Sequence, residues 1–131
     1  LTVQAEEGPH RFSVALPTGW QQASHVRLVL EGLTVAGGQP FKLRAAAIIE
    51  GAEPVILGSA GIVGDRSMGS APRRLPTLLI DVTRPLGSLA DRLVTQPAIT
   101  IRIEAVDGRN VPVGGLDWSV QSVRLEQSGR N

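Results

Sequence analysis

The sequence has no cysteine and no tyrosine, two histidines, two tryptophans, two phenylalanines and one methionine. Without cysteine there is no disulfide framework, no thiol nucleophile and no thiolate zinc site. His10 and His25 form neither an H-x-H nor an H-x3-H pair, so a histidine-built metal centre lacks its ligands. Charge is scarce as well. Charged residues make up 19%, and 13 Lys+Arg against 12 Asp+Glu leave a net charge of +1. A binder that draws its affinity from phosphate neutralisation needs a large positive excess, so a nucleic-acid partner is not expected. No run approaches the roughly 18 apolar residues of a spanning helix, and no membrane role is expected. The opening LTVQAEEGPH has neither a basic start nor an apolar core, so no export signal is visible and compartment is not assigned.

The common chemical motifs are missing too. Ser59 in Gly58-Ser59-Ala60-Gly61 and Ser70 in Gly69-Ser70-Ala71-Pro72 do not have the G-x-S-x-G spacing of a nucleophile elbow. Gly58, Gly61 and Gly64 form a G-x-x-G-x-x-G run, but the lysine of a phosphate loop is absent and a loop follows instead of a helix. Close strand packing or a bulge is the expected use of those glycines. Asp107-Gly108 lacks the calcium-loop pattern and reads as a turn. Glu6-Glu7, Glu50 and Glu53 flank turns and single out no acid pair. The expectation is a module that is not an enzyme.

What is present is period-two hydrophobicity cut by turns. Fifteen glycines and nine prolines are spread along the chain, a spacing typical of a β-sandwich or barrel. Leu1–Ala5 and Arg11–Leu16 flank a turn at Glu6–Pro9. Val26, Leu28 and Leu30 alternate with Arg27 and Glu31 up to Gly32, and Phe41, Leu43, Ala45 and Ala47 alternate with Lys42, Arg44 and Ala46. Residues 54–63 form an apolar strand with a bulge, Leu78–Val82 another, and Leu116–Glu126 the last. Ile99, Ile101 and Ile103 alternate with Thr100, Arg102 and Glu104. Pro85 followed by Leu86, Leu89, Ala90, Leu93 and Val94 has helical spacing, which predicts one short helix near 85–94. Eight or nine strands are expected in all. Apolar residues on both faces of 41–49 and 55–63 ask for cover on both sides.

Two features are candidate binding elements. Residues 64–76 form the longest loop, and Arg66, Arg73 and Arg74 make it a candidate docking loop for an acidic surface. Trp20, after Pro17-Thr18-Gly19 and before Gln21 and Gln22, is the candidate exposed aromatic, whereas Trp118 lies in a strand-like segment and is expected in the core.

The order of these segments resembles the C-terminal domain of tyrosinases and polyphenol oxidases. Val26-Arg27-Leu28-Val29-Leu30-Glu31-Gly32-Leu33 followed by Phe41-Lys42-Leu43 is similar to that domain's opening strands. Leu57 to Gly64 is similar to its glycine-bearing strand, and Ile80-Asp81-Val82-Thr83 with Leu86 to Leu93 to its "D-[VI]-T-x-x-L" strand and helix. Ile99–Ala105 and Val111–Leu116 are similar to its ending. The resemblance spans roughly residues 1–126. It implies a jelly-roll-like antiparallel β-sandwich of about eight strands, with residues 1–131 a single domain and the C-terminal piece of a longer protein. That domain packs over the dicopper site of a helical oxidase domain, shields it, and in latent enzymes is displaced or cleaved before substrate enters. The family's copper ligands are histidines of the helical domain, so the resemblance implies no metal or cofactor in this chain and a type-3 copper oxidase domain as its partner. Where the family often lays an aromatic over the copper entrance, this chain has Ala60, Ile62 and Val63, and no plug residue is assigned. Two further expectations stay open: a free-standing sandwich binding a glycan or a protein, and a structural subunit of an assembly.

Overall fold

Alternation of apolar and polar side chains decides the architecture. The structure, a computed structural model, describes residues 10–36, 40–62, 72–113 and 117–128. Within them ten strands form three antiparallel groups. A four-stranded sheet has the order β1 (His10–Ala15), β8 (Ala98–Val106), β4 (Phe41–Ile48), β5 (Val55–Ile62). A second sheet has the order β10 (Ser122–Ser128), β2 (His25–Glu31), β7 (Leu78–Asp81). A third, short sheet is β6 (Pro72–Arg74), β3 (Thr34–Ala36), β9 (Asp117–Ser119).

The third sheet prolongs the second. β3 follows β2, β9 precedes β10 and β6 precedes β7, with β3 central as β2 is. The ladder breaks at Gly32-Leu33, Val120-Gln121 and Leu75–Thr77, where Gln121 donates its N–H to Glu31 O at 2.9 Å and Leu75 to Leu33 O at 2.8 Å. Gly32 makes the bend possible, having φ +67°, a left-handed value that side chains disfavour. Leu116–Glu126 therefore reads as one strand in the sequence yet is broken in the structure, and the described residues hold ten strands, with β3 and β6 as short additions to those expected.

The two layers meet along both margins, β1 beside β10 and β5 beside β7. Apart from the β4–β5 hairpin and the three breaks within the second layer, every connection crosses from one layer to the other. Leu28, Leu30 and Ile80 of one layer face Leu43, Ile101 and Ile103 of the other, all buried in one core. Burying each such side chain contributes about 1.5–3 kcal/mol.

The apolar run 54–63 has the expected bulge. Ala45 pairs with Gly58 but Ala46 pairs with Ile56, leaving Leu57 as the extra residue. A Cβ on Gly58 would stand 2.7 Å from Ile80 Cγ2, so this glycine also allows β5 to approach β7 closely.

The expected helix over 85–94 divides in two, α1 (Thr83–Gly87) and α2 (Ala90–Leu93). Leu86, Leu89 and Leu93 face inward as their spacing requires. Gly87 and Ser88 are weak helix formers. The Ser88 hydroxyl bonds back to Pro85 O at 2.6 Å, and Leu89 N–H bonds to Leu86 O at 3.0 Å in a tightened turn. The strand expected at Leu1–Ala5 and the turn at Glu6–Pro9 lie outside the described residues.

Candidate functional site

The residues singled out in the sequence do not converge. Trp20 is the first correction. It sits in a single 3-10 turn, Trp20–Gln22, and is only 5% exposed within the core. Gly19, left-handed at φ +76°, turns the chain so that the indole swings inward while Gln21 and Gln22 stay exposed. Trp20 is thus not the exposed aromatic that the sequence suggested. Trp118 is in the core as expected, 2% exposed, with the His10 ring edge-on to it at 4.8 Å.

Arg66 lies outside the described residues. Arg73 and Arg74 are not on a loop tip, because Pro72–Arg74 pair with Thr34–Ala36 as β6. The Arg74 side chain is exposed and donates to Gln121 Oε1 at 3.3 Å.

The two histidines stand apart, His10 on β1 and His25 on β2, in different layers. His25 Nδ1 lies 3.8 Å from Asp81 Oδ2. Asp81 Oδ1 accepts from the Thr83 hydroxyl at 2.6 Å and the Thr83 N–H at 3.0 Å, and the hydroxyl in turn accepts from Val26 N–H at 2.9 Å. The Thr83 hydroxyl, then the Thr83 N–H, hold this carboxyl below the usual aspartate range, with a smaller pull from His25 and Arg27. A hollow of about 430 Å³ lies here, between Ser24, His25, Asp81 and Thr83–Pro85. A second, of about 330 Å³, is lined by Ile48, Glu50, Arg92, Gln96 and Thr100. The first brings the Ser24 and Thr83 hydroxyls beside His25 and Asp81, with the Thr83 hydroxyl already engaged by Asp81 Oδ1 and Val26 N–H. Among the described residues no three His, Cys, Asp or Glu side chains are placed to hold a metal ion, and the two histidines do not fit a copper centre. Asp107 is a turn residue, its Oδ1 accepting from Val111 N–H at 3.1 Å and Arg109 N–H at 2.7 Å, which in that order lower its pKa.

The densest charged group is one that period-two reading had only turned outward. On the outer face of the four-stranded sheet, Arg44 Nη2 donates to Glu104 Oε1 at 2.5 Å, and Arg102 Nη2 lies 3.9 Å from the same oxygen. Glu104 is 8% exposed, the sole charged residue so deeply covered among those described. The signal lay in the register, which sets Arg44 opposite Glu104 and cannot be read from either strand alone.

No family model matches the sequence, and no curated protein does. Solved structures do. Latent aurone synthase from its natural source, a polyphenol oxidase, matches with TM-score 0.64 at 12% identity, over 94% of this chain and 25% of that chain. The recombinantly expressed latent enzyme matches with TM-score 0.60 at 15% identity, over 94% and 25%. This fold resembles one quarter of a polyphenol oxidase. At such identities the likeness speaks for the fold, and the chain spans about a quarter of the length of the solved chains it matches.

Proposed function

We propose that this chain is a non-catalytic accessory domain that packs over the dicopper site of a tyrosinase-like phenol oxidase and regulates access to it. The observation that carries this reading is the match of nearly the whole chain to a quarter of latent aurone synthase. A sandwich without a metal-ligand cluster among its described residues is suited to cover a site that another domain builds. Copper would belong to that helical domain, and this chain's share would be steric. Covering a concave entrance excludes bulk water and large phenols. Local opening, or cleavage in an exposed segment, would uncover it.

The docking role expected of Arg66, Arg73 and Arg74 belongs to the same proposal. It is tested by reversing the charges of Arg73 and Arg74, which should weaken latency, whereas unchanged latency removes these residues from the interface. The proposal as a whole is tested by reading the coding sequence upstream of the Leu1 codon. A helical region with two sets of three copper-binding histidines is the expected result. A start codon or signal peptide directly upstream, with no oxidase region in the same transcript, would overturn it.

A further inference from the structure

The outer face of the four-stranded sheet carries positive charge that is not balanced among the described residues. Register sets Arg11 of β1 directly across from Arg102 of β8, and Glu104 of β8 directly across from Arg44 of β4. Like charges directly opposite on neighbouring strands repel. Three guanidinium groups thus stand on this face beside one carboxylate, and only Arg44 and Arg102 approach it, at the same oxygen. Arg11 is exposed and has no ion pair among the described residues. The Nε–H groups of Arg44 and Arg102 are shut off from solvent and have no acceptor among the described residues. Native structures leave few such donors unmet, and each asks for a reason.

The outer face of the other sheet differs. There Arg124 is held by Glu31 and Glu126, and Arg27 stands between Glu126 and Asp81 on its two neighbouring strands. The contrast lies between two faces of one small domain.

We propose that the outer face of the four-stranded sheet is a docking surface for a carboxylate-bearing patch of a partner protein. Acidic side chains of the partner take the guanidinium of Arg11 and, with a turn of each fork, the Nη and Nε donors of Arg44 and Arg102. The shape favours a protein over a free anion. The arginines are spread along neighbouring strands, with half-buried Ile48 and exposed Ile56 on the same sheet, instead of closing around a hollow. Arginines set among apolar side chains are the composition of a protein interface. Identifying the partner as the oxidase domain rests on the function proposed above; the charge imbalance does not.

The test is a titration of the 15N-labelled chain with hexaglutamate, following the arginine Nε–H resonances. Saturable shifts at Arg11, Arg44 and Arg102, with Arg27 and Arg124 unmoved, are expected. R102Q should weaken binding about 10-fold. R11Q, at an exposed position with no ion pair among the described residues, should also weaken it while leaving the amide spectrum intact, which keeps the test decisive if R102Q folds poorly. No shift at the three arginines, equal shifts at all five, or the same shifts from sulfate at matched charge would each overturn the proposal. These outcomes are read on this chain alone. A failure here therefore leaves the oxidase reading standing, and absence of an oxidase upstream leaves the arginine face standing.

Discussion

Gly32 and Gln121 sit side by side where two adjacent strands bend together, and a Cβ on Gly32 would overlap the Gln121 side chain. At that point β2 passes into β3 and β9 into β10, carrying Leu33, Val35, Trp118 and Val120 into the same core as Leu28 and Leu30. The bend lets one strand set serve two short ladders.

Gly32→Ala should destabilise the fold by about 1–3 kcal/mol, from the left-handed φ and the displaced Gln121 side chain together. Gly51→Ala, also left-handed but with open space around it, should cost less, about 1 kcal/mol. Urea midpoints of the two variants check this. Equal losses would show that the crowding at Gln121 does not matter.

Burial of Trp20 has a spectroscopic consequence. With Trp20 and Trp118 both in the core, emission of the native chain should be blue-shifted and poorly quenched by acrylamide, and should shift red in one step on unfolding. Trp20→Ala should cost about 3–5 kcal/mol. A readily quenched Trp20, measured in a Trp118→Phe background, would contradict its placement.

Glu104 is the anchor for two guanidinium groups in a half-buried setting. Glu104→Gln should leave Arg44 without its counter-charge and destabilise by about 1–3 kcal/mol. The loss should persist in 0.5 M salt, because screening acts weakly on covered pairs. Thermal unfolding in low and high salt is the measurement, and a loss that vanishes in salt would place the pair at the open surface.

Asp81 is held below its ordinary range in the folded chain, first by the Thr83 hydroxyl. A lowered folded pKa means stability that is present above about pH 4 and is lost as pH falls through the folded value. Asp81→Asn should therefore be less stable than the parent near pH 6 and show a flatter acid limb between about pH 4 and pH 2. Urea midpoints across that range decide it, and parallel limbs would assign the acid sensitivity elsewhere.

Much of the fold was legible because one face of each strand is buried. Val26, Leu28 and Leu30, or Ile99, Ile101 and Ile103, name their own inward faces, and Gly58 marked its bulge. Position-specific geometry was less legible. Trp20 turns inward through the left-handed Gly19, and the helix over 85–94 gives way at Gly87-Ser88, both settled by backbone local to the turn. Arg73-Arg74 reads as a loop because Pro72–Arg74 is a three-residue strand, too short to show alternation. The Arg44–Glu104–Arg102 group was hidden for another reason. Each residue is an ordinary outward side chain, and only the pairing of residue 44 with residue 104 makes them neighbours.

The most direct measurement of the proposed shielding role is the rate of phenol oxidation by a dicopper oxidase domain joined to this chain, taken before and after the chain is removed by limited proteolysis with copper kept bound. A rise in rate on removal, reversed by adding the separated chain back, is the expected result. A rate unchanged by removal would contradict a shielding role.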